Sequence, residues 1–118
     1  MVGGIYDSLS GLAAAQKKIV TSAHNTANAN TEGFKKHRVV LQEAHSQGGV
    51  EATLERVNTP GPIFQRETEA GLVQVEQSNV DLGEEAVNLL LGKRLLEANL
   101  SALNIQNKTL GSLLDIVE

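Results

Sequence analysis

Residues 81–118 read DLGEEAVNLLLGKRLLEANLSALNIQNKTLGSLLDIVE. Taken in alternating steps of four and three, the stretch gives Leu82, Ala86, Leu89, Lys93, Leu96, Leu100, Leu103, Asn107, Leu110, Leu114 and Val117. Nine of those eleven are apolar. A seam that recurs every ~3.5 residues holds one stripe of a long helix against a partner helix. Asp81 stands where an N-cap acceptor belongs, and Glu84, three residues on, is placed to return the bond as a capping box. No proline follows Pro62, so the spacing predicts an unbroken helix of roughly 55 Å at ~1.5 Å per residue. That is far beyond the radius of about 13 Å expected for a compact chain of this size, and an elongated shape follows.

A second stripe, Leu91, Leu95, Ala98, Ala102 and Ile105, keeps the same rhythm on an adjacent face. Two stripes expose more apolar surface than a single partner helix covers. A core helix buried on several sides would account for it. So would a helix that packs one partner in its own chain and another in a neighbouring subunit. The second arrangement is expected, because the rest of the chain looks too short to shield the helix along its whole length.

A matching seam lies near the other end. Ile5, Leu9, Leu12, Gln16, Ile19, Ala23 and Thr26 follow the four-three rhythm, broadened by Ala13, Ala14, Ala15 and Val20. The expected intrachain pairing sets Ile5, Leu9, Leu12 and Ile19 against Leu89, Leu96, Leu100, Leu103, Leu110 and Leu114, in either direction. Gly11 inside this helix is a close-packing contact or a flaw costing about 1 kcal/mol relative to Ala.

Composition narrows the function classes. A chain of 118 residues with two Phe, one Tyr and no Trp suits helix packed on helix better than an aromatic-rich globular core. A formal charge of −4 without a basic stripe argues against a nucleic-acid partner. No cysteine is present for disulfide or thiolate chemistry. The amino end lacks the basic and apolar regions of a cleaved signal, and no run of about 20 apolar residues is available for membrane insertion. His24, His37 and His45, with Glu43, are the only candidates for a metal or catalytic site. None of the histidines pairs with another at the spacing of three or four that a helical metal site favours. Neither an enzyme nor a cofactor is expected.

Between the helices the grammar changes. Residues 23–35 read AHNTANANTEGFK, with Asn25, Asn28 and Asn30 among small residues and Gly33 at the close. Asparagine amides and left-handed glycine satisfy carbonyls left bare at a helix end, and three asparagines exceed what one cap requires. Lys35 to Arg38 is a short basic run, read as a solvated helix end. Gln47-Gly48-Gly49 opens a region in which residues 50–57 and 72–76 read as strands and 63–68 as a weaker one. Residues 58–62, NTPGP, form a turn between them. A hairpin or a three-stranded sheet is expected, too small to stand without helix contacts.

Ser10-Gly11-Leu12 with Ala15-Gln16, followed by Asn30-Thr31-Glu32-Gly33-Phe34-Lys35, resembles the amino-terminal motif of the flagellar axial protein family, the rod and hook subunits of the bacterial flagellum. Ser78-Asn79-Val80-Asp81-Leu82-Gly83-Glu84-Glu85 and Arg94-Leu95-Leu96-Glu97-Ala98-Asn99 are similar to its carboxy-terminal motif. His24 and Thr26 stand where the family more often has asparagine and isoleucine, and Leu95-Leu96 replaces its usual alanine-aromatic pair.

The resemblance implies a mainly α fold whose inner, axial-core domain is made of residues 1–33 and 81–118 paired as a coiled coil. Residues 34–80 would form a small β insert, and its shortness is closest to the proximal-rod subunits. The resemblance also implies self-assembly with other axial proteins in the basal-body rod, after type III export without a cleaved signal. The motif residues it points to for assembly are Asn25, Asn28, Asn30, Thr31, Gly33 and Phe34 at one end. At the other they are Asn79, Asp81, Glu84, Glu85, Arg94, Glu97 and Asn99. A coiled-coil export chaperone or adaptor would share the seams but has no need of the asparagine turn.

Overall fold

The computed structural model describes residues 2–45 and 48–117. Two helices dominate: α1, Val2–Ala27, and α2, Leu82–Val117. Four strands lie between them: β1, His37–Glu43; β2, Val50–Arg56; β3, Ile63–Thr68; and β4, Gly71–Glu76. The described residues measure 82 × 25 × 17 Å with a radius of gyration of 20.9 Å, the elongated shape that the seams imply.

The helices run antiparallel, and their register is set by small and polar residues rather than by the leucines. A Cβ on Gly4 would lie 2.9 Å from Gln106 Nε2, and one on Gly11 only 2.4 Å from Asn99 Oδ1. Asn25 Nδ2 donates to Glu85 Oε1 at 3.0 Å. Each facing pair lies a whole number of heptads along α1 and the same number back along α2. In the middle Gly92 is buried, and a Cβ there would lie 2.7 Å from Ile19 Cγ1. Glycine on one helix therefore makes room for a polar side chain, or an isoleucine, from the other. Gly11 is a close-packing contact.

The core is correspondingly thin. Ala14 and Ala15 are its buried apolar residues, joined by buried Ser8, Thr21, Ser22, Asn25 and Glu85. Ile5, Leu12, Ile19, Leu89, Leu96, Leu103 and Leu110 are half-buried along the flanks of this contact, while Leu9, Leu100 and Leu114 are exposed.

The helix ends follow their caps. Asp81 Oδ1 accepts from the Gly83 and Glu84 amides at 2.8 and 3.2 Å. Glu84 does not return the bond: its Oε2 accepts from Lys36 Nζ at 2.6 Å. At the end of α1 the Asn28 side chain donates to the His24 carbonyl at 2.9 Å. The chain then turns at Gly33, whose φ of 68° is left-handed. No non-glycine residue described has positive φ, so the asparagines act through their amides and not through left-handed backbone.

The insert is two separate antiparallel hairpins, where a single hairpin or a three-stranded sheet was expected. In β1–β2 the register runs from His37↔Arg56 to Glu43↔Val50, and in β3–β4 from Ile63↔Glu76 to Thr68↔Gly71. Strand β1 begins within the basic run that reads in sequence as a solvated helix end, and continues to Glu43. The difference has a physical cause: α1 has ended at Ala27, and Val39, Val40 and Leu41 find cross-strand partners in Leu54, Thr53 and Ala52. Hairpin β1–β2 packs on α1, and Lys17 Nζ donates to the Ala52 carbonyl at 2.7 Å. Hairpin β3–β4 packs on no other described helix or strand. Of the Gln47-Gly48-Gly49 opening, Gln47 lies outside the described residues.

Candidate assembly interface

Two regions gather the residues singled out in the sequence. One is a polar clasp where α1 ends and α2 begins. Asn25, 1% exposed, donates from Nδ2 to the His37 carbonyl at 2.7 Å as well as to Glu85, and its Oδ1 accepts from the His37 amide at 3.0 Å. One side chain thereby ties α1, β1 and α2 together. Asn79 makes the second tie. Its Oδ1 accepts from the Lys36 amide at 2.7 Å, and its Nδ2 donates to the Val57 and Thr59 carbonyls at 2.8 and 2.9 Å. The basic run completes the clasp: Lys35 pairs with Glu76, Lys36 with Glu84, and Arg38 with Glu55 across β1–β2.

The Lys35 ammonium donates to the Glu76 carboxylate, and the Gly61 amide donates to the same oxygen at 2.8 Å. Those two bonds, Lys35 first, hold the Glu76 carboxyl below its usual range against an opposing desolvation. Glu76 also fixes hairpin β3–β4 to the turn, because its carbonyl accepts from the Gly33 amide at 2.9 Å.

Other motif residues sit outward. Thr31 Oγ1 donates to Asn28 Oδ1 at 3.1 Å, Asn30 is exposed, and Arg94 pairs with Glu97 at 3.0 Å on the open face of α2. Phe34 meets His24 edge-on at 5.5 Å between ring centroids, and His37 lies 6.1 Å from His24. The histidines thus flank a phenylalanine, and no group of three or more metal-ligating side chains is gathered among the described residues.

The second region is the outer face of α2. Leu91, Leu95 and Ile105 are 48%, 39% and 65% exposed. Ala98 is exposed and Ala102 half-buried beside them. Neither hairpin packs on α2, so no strand covers this stripe, and of its five residues Ala102 alone is half-buried.

Some residues of the helix contact and the clasp escape a reading based on leucine spacing: Gly4, Gly92, Gln106, Lys36 and buried Ser22 and Ser78. The recurrence of Gly4, Gly11 and Asn25 at heptad positions, and of Glu85, Gly92, Asn99 and Gln106 at intervals of seven, was the signal that could have revealed Gly4, Gly92 and Gln106.

Residues 5–35 match a family model described as Flagella basal body rod protein. Residues 74–116 match one described as Flagellar basal body rod FlgEFG protein C-terminal. No individual curated protein matches the chain. The first match takes in most of α1 and the asparagine turn; the second takes in Asn79, the start of α2 and the exposed stripe.

Proposed function

Because this chain belongs to the flagellar basal body rod protein family, a family of structural subunits, we propose that it builds the axial tube of the rod by stacking helically with copies of itself and with other axial proteins. Its place is the basal-body rod, and no helix among the described residues is long and apolar enough to cross a membrane. On this reading residues 1–33 and 81–118 form the inner, axial-core domain, and residues 34–80 form the outer insert. Export through the type III apparatus precedes assembly. The small insert fits a proximal-rod position.

The observation that carries the reading is the bare second stripe. A monomer leaving Leu91, Leu95 and Ile105 in water, on a helix that has already used another face, gains apolar burial only by packing against a neighbour. The clasp supports the same reading, since it gives the helix pair a fixed register before any neighbour arrives.

Leu95→Glu tests it. Leu95 is 39% exposed, so the variant monomer should melt within about 1 kcal/mol of the unaltered chain, as surface substitutions generally do. Sedimentation and negative-stain microscopy should show loss of polymer. Normal tubes from the variant, or a monomer stability loss of several kcal/mol, would sink the proposal.

A further inference from the structure

Three cavities succeed one another along α1, with volumes of about 490, 390 and 220 Å³. The first two share Ala13 and Lys17, and the last two share Val20, Thr21 and Leu54, so they succeed one another as one groove that the Lys17 side chain bridges to the Ala52 carbonyl where the first two meet. One wall is α1, where Tyr6, Ala13 and Val20 recur every seven residues. The other is β2, where the alternate residues Val50, Ala52 and Leu54 line the same side, as a pleated strand's period of two requires. Tyr6, Val20, Val50 and Leu54 are exposed, at 43%, 60%, 37% and 53%. From Tyr6 to His24 the groove is roughly 27 Å long at ~1.5 Å per residue.

Within the described chain, the last turns of α2 are equally unaccompanied. Gly4 faces Gln106, so α2 runs on past the first described turn of α1, and residues 111–117 are all exposed. Leu110, Leu113, Leu114 and Val117 fall at i, i+3, i+4 and i+7, the anchor spacing of a helix laid into an apolar groove. Leu113, Leu114 and Val117 are 44%, 69% and 84% exposed.

We infer that the groove between α1 and β1–β2 receives the last turns of α2 from a second copy of the chain. This rests on the self-assembly proposed above and names its receptor. Charge favours the match: Asp115 is the one charged residue in 109–117, while Lys17 lines the middle of the groove and no acid among the described residues lines the middle or narrow end. Glu51 is the acid in the groove lining, and it lies at the wide end. Access favours it too. The middle of α2 is backed by α1, whereas residues 111–117 are exposed within the described chain. A chain cannot fill its own groove in this way. Val20 lies opposite α2 near residue 90, and Leu114 is therefore roughly 35 Å further along the same helix. The contact is head-to-tail, and such contacts propagate into open chains instead of closing as a dimer.

The chain has no cysteine, so Val20→Cys with Leu114→Cys places the only two thiols at the inferred contact. A short bismaleimide applied to assembling protein should give a ladder of covalent oligomers from the double variant. Each single-cysteine variant should give almost none. Leu114→Glu should lower sedimentable polymer at least tenfold with an unchanged melting curve. Polymer formed by the double variant that yields no ladder, or Leu114→Glu polymerising as the unaltered chain does, would overturn the groove while leaving self-assembly standing. Single-cysteine Leu114→Cys dimerising as efficiently as the double variant would mean a symmetric tail-to-tail contact, and also overturns it. An unaltered chain that stays monomeric at every concentration removes both the groove and the function it rests on.

Discussion

Where α1 closes and α2 opens, Asn25, Asn79, Lys36 and Glu84 join two helices and a hairpin within a few residues; at the far end α2 extends past α1 with Leu113, Leu114 and Val117 in water. Both ends belong to the same helix pair, and the leucine rhythm is as regular at one as at the other. What differs is the polar chemistry. The clasp satisfies most of its groups inside the chain, buried Glu85 Oε2 being the exception, which makes it largely a self-contained joint. The tail satisfies its few hydroxyl groups within its own helix, through Thr109 and Ser112, and leaves Leu113, Leu114 and Val117 exposed; on the proposed reading a second copy covers them. If the proposed assembly is right, stability and assembly fall to opposite ends of one element.

Breaking the clasp should give the largest effect. Asn25→Ala removes three hydrogen bonds and strips Glu85, 2% exposed, of the Asn25 donor. Leaving buried polar groups without their hydrogen-bond partner costs roughly 1–3 kcal/mol, and denaturant melts of the monomer should show a loss toward the top of that range. A loss under about 1 kcal/mol would mean the clasp is ornament and the flanking leucines hold the pair.

Gly92→Ala probes the middle of the ladder. The added methyl meets Ile19 Cγ1 at 2.7 Å. Overpacking costs about 1–3 kcal/mol, against a helix-propensity gain of about 1 kcal/mol, so the variant should lose roughly 1 kcal/mol on thermal melting. A gain would show that the helices separate freely there.

Acid should loosen the outlying hairpin before the helix pair. The folded Glu76 carboxyl lies below its ordinary value of 4.5, chiefly through the Lys35 bond. The unfolded state therefore binds more protons as pH falls below that value. Glu76's contribution is complete above it and is lost as pH drops through the lowered folded pKa. Hydrogen exchange at the Gly33 and Gln77 amides should accelerate in that acid window, and Glu76→Gln should bring the same acceleration to neutral pH. Equal exchange at pH 7 in both chains would remove Glu76 from the attachment.

The smallest effect belongs to the tail. A Cβ on Gly111 meets nothing within 4 Å, so Gly111→Ala should stabilise the monomer by up to about 1 kcal/mol through helix propensity alone. Destabilisation would mean the tail is covered in the monomer, and the contrast between the two ends would collapse.

The helices and the elongated shape were legible because a heptad seam is a strong and redundant signal. The register was not. Leucine periodicity draws attention to the widest apolar stripe, yet Leu9 and Leu100 are each 50% exposed, and the close approach falls on Gly11, Gly92 and Asn25. Small residues leave little mark in a hydrophobic pattern even where they decide how near two backbones come. The strand β1 was hidden by the charges of Lys35, Lys36 and Arg38, which suggest solvent until their partners Glu76, Glu84 and Glu55 are placed. In the candidate interface the second stripe was readable from spacing. The role of Asn25 as a buried three-way tie was not, because its partners are a carboxylate far along the chain and two backbone atoms of His37.

Teeth repeated at a fixed pitch mesh nearly as well one tooth along. Slid by one heptad, α2 would set Asn99 over Gly4, Gly92 against Gly11 and Glu85 beside Lys18, an arrangement with no steric objection in its residue types. The ladder alone is therefore a rack that could slip under axial load. Asn25, anchored on its own side to the His37 backbone and reaching across to Glu85, is the pawl: a shift of about 10 Å would tear it from Glu85 while its two bonds to His37 hold it in place.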